Sequence, residues 1–462
     1  MSVARAIATA ACGTDAVSEA LSIFAAARDA GDAPGLRVGD RLYTFAQLAD
    51  MTKRRIDALS LEPVHGLPYM LEGTNTLEAL VTLYALLEIR VPALLVHPQL
   101  TPPERADLSA AAARAGQVPH PGAAAIIFTS GTSGEARGAV LTRAALLASA
   151  EASAANLHWQ IDDAWLLCMP IARVGGLSIL TRCLAARRCV VLARGFDVDL
   201  FPEWVAAQRI TLVSLVPTML TRVLDRHPAW RVPAHLRAVL LGGAAASPKL
   251  LRRAADRRLP IVVTYGLTET CSQVVATPYA ARYAPADCGA GVALRGMDVR
   301  VDNGHIKVRG PTLMAGYWME TPLAPDAWFD TGDLGELDAE GRLHVHARRA
   351  DLIVTGGENA YPAEVERALE GFPGIAAAGV FGVPDEVWGH TVAAALVAER
   401  APPPDAALFE YVTRQLAPHK RPRHICYVPR LPHAPSGKLD RRALAEIARS
   451  LRPLSPTHLG QV

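Results

Sequence analysis

Short apolar runs rich in β-branched residues alternate with Ala- and Leu-rich stretches of helical length through the first two thirds of the chain. The runs AAIIFT (124–129), TLVSLV (211–216), AVLLGG (238–243) and PIVVTY (260–265) predict strands, and residues 78–90 and 143–156 predict helices. Strands and helices in alternation specify an α/β architecture. Each of these strands runs directly into Gly, Ser, Thr or Pro. In open α/β sheets ligands bind beyond the carboxyl ends of strands, so those loops are where chemistry is expected.

From about residue 285 the texture changes. RVDNGHIKVRG reads as short strands with a turn, and the Gly-rich stretch ADLIVTGGENAYP leads into a helix beginning near Ala363. AERAPPPDAA (398–407) reads as a Pro-rich surface connection inside a small second domain. A chain of 462 residues exceeds the usual size of one hydrophobic core. The expected division is a large N-terminal domain of α/β subdomains over 1–348 and a smaller one over 349–462, with no repeat of solenoid period.

Composition narrows the partners. Half the residues are hydrophobic, a fifth are charged and the formal net charge is +2, which is a globular balance without the field that nucleic acid requires. Seven cysteines (12, 168, 183, 189, 271, 288 and 426) are scattered without a CxxC pair or metal spacing, and they read as free thiols in a reducing compartment. The start has no apolar core of signal-peptide length, and no run approaches the length of a membrane span. The expectation is a cytoplasmic protein with no stable membrane insertion. Oligomeric state, a homodimer included, is open at this point.

The segment Thr129-Ser130-Gly131-Thr132-Ser133-Gly134-Glu-Ala-Arg137-Gly138 lies between the strand AAIIF and a helix expected to start near Thr142. Small residues with two glycines let consecutive backbone N–H groups turn toward one point, and the hydroxyls and Arg137 add donors, which makes a nest for phosphate oxygens. The G-x-x-x-x-G-K-[ST] spacing of a Walker loop is absent, and a plain Ser/Thr/Gly surface turn is the competing reading of this loop alone. Tyr265-Gly266-Leu267-Thr268-Glu269-Thr270 follows a buried strand. Glu269 suits Mg²⁺, which takes few protein carboxylates, and Tyr265 offers a flat face to a purine. Phe329-Asp-Thr-Gly-Asp333 sets a carboxylate after a tight turn, apt to accept two ribose hydroxyls. Pro435-Ser-Gly-Lys438 holds a lysine on a Gly-preceded loop, where an ammonium can meet a carboxylate and an α-phosphate.

Together TSGTSGEARG, YGLTET, DTGDLG, RRADLIVTGGENAYPAEVE and PSGKLDRRAL occur in the order and spacing of the adenylate-forming superfamily, which the chain resembles from YTFAQL (43–48) to Leu444. The superfamily holds acyl-CoA synthetases, peptide-synthetase adenylation domains and luciferases. The resemblance implies an α/β fold in which the smaller, α+β C-terminal domain is mobile and rotates between two half-reactions. It implies ATP, Mg²⁺ and coenzyme A as cofactor, metal and co-substrate, and a small carboxylic acid as partner. By motif position it assigns the pyrophosphate to Thr129, Ser130, Thr132 and Gly134, the metal to Glu269, the ribose to Asp333 and Arg348, and the adenylation step to Lys438. Gly242, Gly243 and Ala244 become a wall between nucleotide and acyl pockets, and Gly356, Gly357 and Glu358 line the thiol tunnel. Three positions depart from the pattern: Ala136-Arg137-Gly138 replaces Pro-Lys-Gly, Ala350 stands where a polar hinge residue is common, and LTH becomes Leu141-Thr-Arg143.

The acid is read from a second set of segments. Met169-Pro-Ile-Ala-Arg173-Val174-Gly175-Gly-Leu177, SLVPTML (214–220) and LLGGAA (240–245) resemble the o-succinylbenzoate-CoA ligases of menaquinone synthesis. Many relatives carry His where Arg173 stands, and an Arg can pair with a second carboxylate in bidentate fashion. Arg173 at the pocket rim, reaching solvent, is the alternative. Arg173, Gly175, Val216, Gly242 and Gly243 are the candidate acid-binding residues. Other aryl- or acyl-CoA ligases, an enzyme loading a carrier protein and a luciferase-like oxygenase share the nucleotide motifs.

Overall fold

A computed structural model describes residues 19–59, 67–98, 100, 102–115, 120–130, 136–284, 289–348, 351–355, 358–385, 388–434 and 439–454. Its largest sheet has nine strands. In order across the sheet they are Val292–Ala293, Ser272–Ala276, Ile261–Leu267, Ala238–Leu241, Leu212–Leu215, Ala164–Leu167, Cys189–Leu192, Pro34–Val38 and Arg41–Thr44. The six from Ile261–Leu267 to Pro34–Val38 are parallel, and the remaining three pair antiparallel.

Burial explains why the apolar runs of this sheet do not alternate with polar residues. Trp165, Leu167, Leu212, Leu240 and Val262 face one core, and Leu166, Val213, Val239, Leu241 and Val263 face a second core on the other side. A parallel sheet covered on both faces needs both sets of side chains to be apolar.

The first core is shared with a five-stranded sheet in the order Gly316–Tyr317, Ala136–Thr142, Ala123–Ser130, Ala93–Val96 and Tyr69–Glu72. Helices Leu77–Glu88, Arg143–Leu157 and Val174–Ala186 contribute Leu83, Leu146 and Leu180 to that core. The helix expected near Thr142 is present from Arg143, with Thr142 as its cap accepting the Ala145 N–H at 3.0 Å. One expectation is corrected. The phosphate-type loop is followed by the strand Ala136–Thr142, antiparallel to Ala123–Ser130, so the loop tips a hairpin and does not open directly onto the helix. The side chains of Val140 and Leu141 are buried in different cores, as strand alternation requires.

A four-stranded antiparallel sheet follows, built from Asp298–Asp302, His305–Arg309, Phe329–Leu337 and Leu343–Arg348. Asn303 and Gly304 both take positive φ, +50° and +80°, in the two-residue turn of its first hairpin. A six-stranded mixed sheet then runs from Ile353 to Pro453, with its own cores around Val365, Leu396 and Val412 on one face and Phe381 and Leu444 on the other. The helix expected near Ala363 spans Pro362–Glu370. This C-terminal body touches the rest where Lys249 donates to the Ile375 carbonyl at 3.0 Å and pairs with Glu399. A second contact stacks His346 on Tyr361, centroids 5.5 Å apart. Among the described residues no helix is long and apolar enough to cross a membrane.

Candidate active site

Neighbouring parallel strands deliver the predicted residues to one edge. Arg173 follows Ala164–Leu167, Val216 follows Leu212–Leu215, Gly242 and Gly243 follow Ala238–Leu241, and Glu269 follows Ile261–Leu267. These are the carboxyl ends of adjacent strands, the position at which open α/β sheets bind ligands.

The glycines expected to form a wall are fixed by sterics. A Cβ on Gly242 would lie 2.3 Å from Thr264 Oγ1 and 3.0 Å from the Thr264 carbonyl oxygen, so only glycine fits against the neighbouring strand. Gly243 turns with φ +78°, and a Cβ there would lie 3.3 Å from Val216 Cγ1. Ala244, next in the chain, is exposed.

Tyr265 lies inside the strand Ile261–Leu267 rather than after it, and its hydroxyl donates to Asp333 Oδ2 at 2.8 Å. Asp333 is only 5% exposed, and it sits opposite Arg348 in the antiparallel register of Phe329–Leu337 with Leu343–Arg348. The tight turn before it has Gly332 at φ +73°, with the Gly332 N–H donating to Asp330 Oδ1 at 2.8 Å.

Glu269 joins the two large sheets. The residue is 9% exposed, and its Oε1 accepts from the Tyr317 hydroxyl at 2.9 Å and lies 3.5 Å from Thr129 Oγ1. Burial first, then the charge of Glu269, push the Tyr317 phenol well above its usual range. Among the described residues Oε2 of Glu269 accepts no hydrogen bond, and no cluster of three or more His, Cys, Asp or Glu could hold a metal. That donor set fits Mg²⁺, which takes one or two protein carboxylates and otherwise phosphate and water. Arg137, opposite Thr129 in the hairpin register, places its Cζ over the Tyr317 ring, 3.6 Å from the centroid, and donates through Nε to Glu320 Oε1 at 2.7 Å.

At the far end of this row of strands Arg173 caps the helix Val174–Ala186 without a side-chain hydrogen bond to it, and among the described residues its buried Nε has no hydrogen-bond partner. Burial pulls its guanidinium below the usual arginine range. His97, just past Ala93–Val96, is lowered below its usual range by burial first and by the charge of Arg173 second. Asn75 Nδ2 fixes the loop before Arg173 by donating to the Met169 carbonyl at 3.0 Å and the Ala193 carbonyl at 3.1 Å. A Cβ on Gly175 would lie 3.1 Å from Met169 Cε.

Several predicted residues lie outside the described residues: Gly131, Thr132, Ser133, Gly134, Ala350, Gly356, Gly357 and Lys438, together with the side chains of Ser130, Arg348 and Glu358. Sequence reasoning missed Tyr317, Glu320 and His97. A two-residue strand carries no periodicity, and nothing local links Tyr317 to a carboxylate 48 positions away.

Residues 111–318 match the AMP-binding enzyme family, and residues 364–438 match the AMP-binding enzyme C-terminal domain. The 2-succinylbenzoate–CoA ligase of Bacillus licheniformis is 40% identical over 337 residues, 70% of this chain and 70% of that protein. The chain belongs to the AMP-binding enzyme family. The 2-succinylbenzoate–CoA ligase of Bacillus cereus strain Q1 is 37% identical over 341 residues, 71% of this chain and 70% of that protein. Among solved structures, o-succinylbenzoate CoA synthetase of Bacillus subtilis with the acyl-adenylate OSB-AMP superposes with TM-score 0.82 at 30% identity, covering 91% of this chain and 97% of that one. The same enzyme with ATP and magnesium gives 0.82 at 30%, covering 91% and 98%. ATP-bound MatB from Rhodopseudomonas palustris also gives 0.82, at 26% identity, covering 93% and 99%. As a member of this AMP-binding family the chain is an adenylate-forming enzyme.

Proposed function

We propose that the protein is an ATP-dependent carboxylic acid–CoA ligase that works through an acyl-adenylate, and that its acid is 2-succinylbenzoate. The observation that carries this reading is the arrangement at one sheet edge: Arg173 and Val216 on one side, Tyr265 and Glu269 on the other, with Gly242 and Gly243 between them. The relatives named for 2-succinylbenzoate support the choice of acid. Arg173 supports it independently, because a half-buried cation with no carboxylate partner among the described residues suits a substrate that brings a second carboxylate.

In the first half-reaction a carboxylate oxygen of the acid attacks the α-phosphorus of ATP and pyrophosphate leaves. Thr129 and the loop through Gly134 hold the departing phosphates, with Arg137 adding charge. Tyr265 to Thr268 lie along the nucleotide, and Asp333 and Arg348 hold the ribose hydroxyls. Lys438 stabilises the charge that develops between the α-phosphate and the acid. Magnesium, when bound, neutralises phosphate charge, and Glu269 is the carboxylate that would hold it. In the second half-reaction the CoA thiol attacks the acyl carbon and AMP leaves. We assign that step to a rotated arrangement of domain 349–462 against domain 1–348, with Gly356, Gly357 and Glu358 lining the path of the thiol.

We also place the protein in the cytoplasm. The five described cysteines are all free and buried, and burial pushes the Cys168 thiol up to about 12, so these thiols are inert core residues suited to a reducing compartment.

The test is pyrophosphate release from ATP across a panel of carboxylic acids, with and without CoA. 2-Succinylbenzoate should give the largest kcat/KM, and CoA should convert the adenylate to thioester and AMP. Equal rates with benzoate would overturn the assignment of the acid, and no release with any acid would overturn adenylation itself.

A further inference from the structure

Tyr317 stands at the junction of two groups that the proposed nucleotide site needs. Its strand, Gly316–Tyr317, pairs with Ala136–Thr142 so that Tyr317 lies opposite Ala139, two residues beyond Arg137. From that place the hydroxyl donates to Glu269 Oε1 at 2.9 Å, a shorter contact than the 3.5 Å from Thr129. The ring meanwhile carries the Arg137 guanidinium on its face at 3.6 Å.

Glu320 completes the arrangement. Its N–H donates to the Tyr317 carbonyl at 3.0 Å, and its carboxylate takes both the Nε and the Nη2 of Arg137. A two-point carboxylate fork together with an aromatic face fixes both the direction and the plane of a guanidinium. The backbone reinforces the link, since the Met314 N–H donates to the Glu269 carbonyl at 2.8 Å. With Oε1 held by Tyr317, Oε2 is the oxygen of Glu269 that takes no hydrogen bond among the described residues.

We propose that Tyr317 is a positioning residue of the MgATP site: its hydroxyl fixes the Glu269 carboxylate with Oε2 turned outward, and its ring, with Glu320, fixes Arg137. This inference rests on the reading that Glu269 faces the metal and Arg137 the phosphates. The two functions separate by substitution. Tyr317→Phe deletes the hydroxyl and keeps the ring, Tyr317→Leu deletes both, and Glu320→Gln loosens Arg137 and leaves the hydroxyl in place.

The experiment measures ATP dissociation constants by calorimetry with and without Mg²⁺, together with the melting temperature of each variant. Tyr317→Phe should weaken ATP binding about 10- to 150-fold in the presence of Mg²⁺, the effect of one hydrogen bond to a charged group, and by less than about twofold in its absence. Tyr317→Leu should weaken both. Glu320→Gln should change both by the same factor. A Tyr317→Phe variant whose two constants move equally, or do not move, overturns the positioning role. Glu269→Gln separates the underlying reading: if it leaves the Mg²⁺ dependence unchanged, Glu269 is not the metal carboxylate. If it abolishes that dependence while Tyr317→Phe is silent, only the inference about Tyr317 fails.

Discussion

The Tyr265 hydroxyl donates to Asp333 across 68 positions of sequence, from a strand of the large sheet to a bulged strand in another. The bond orients a carboxylate that is otherwise almost fully enclosed. Asp333→Ala should therefore weaken ATP binding about 10- to 100-fold, the range for losing one or two charge-assisted bonds to ribose. Comparison of ATP with its 2′,3′-dideoxy analogue checks the assignment. The native protein should discriminate strongly between them and the variant hardly at all; equal discrimination by both would place the ribose elsewhere.

Arg173→Leu should act in opposite directions on function and stability. KM for 2-succinylbenzoate should rise roughly 10- to 10³-fold, while activity on a plain benzoate stays flat or improves. The protein should at the same time become more stable by about 1 kcal/mol, because the buried Nε has no hydrogen-bond partner among the described residues and burial already disfavours the charge. Kinetics on both acids and a melting curve decide it. Equal losses on the two acids would sink the pairing with a second carboxylate.

Much of this site was legible in the sequence because its parts are local. A glycine pair after a strand, a carboxylate after YGLT and a Ser/Thr/Gly loop each announce themselves within ten residues. The strands of the nine-stranded sheet were legible for a different reason: burial on both faces leaves no polar positions to blur the run. What was not legible depends on register between distant segments. The strand Ala136–Thr142 was missed because its small and apolar residues follow a loop whose composition masks its start. Tyr317 and Glu320 acquire meaning only through a two-residue strand docked on that same hairpin, and His97 only through the field of Arg173, distant along the chain.

Lys438→Ala should separate the half-reactions. Acyl-adenylate formation should fall on the order of 10²-fold or more, because the cation acts where charge develops on the α-phosphate and the acid. Thioester formation from synthetic acyl-adenylate and CoA should change much less. Single-turnover measurements of the two steps check this, and equal losses in both would remove Lys438 from the first step.

The contact between the C-terminal body and the rest carries a pH dependence whose sign follows from Glu370. This carboxyl ends the helix Pro362–Glu370, accepts the Ala378 N–H at 3.3 Å and faces Ser247 and Lys249 at the start of the helix Pro248–Asp256. Burial, assisted by the nearby Glu366 charge, pushes it up from 4.5 to about 7, against the opposing pull of the Ala378 N–H, Ser247 and Lys249. Lys249 is itself engaged by Glu399, so its charge is only partly available to Glu370. Between those two pH values the folded protein binds more protons than the unfolded chain. The stability contributed by protonated Glu370 is thus fully present below about pH 4.5 and lost as pH rises through about 7. Glu370→Gln keeps the shape and removes the titration, so the variant should gain about 3 kcal/mol over the native protein at pH 8 and little at pH 4.5. Melting curves of both proteins across that range test the sign, and a difference that stays constant with pH would show that Glu370 is ionised throughout and held by Lys249.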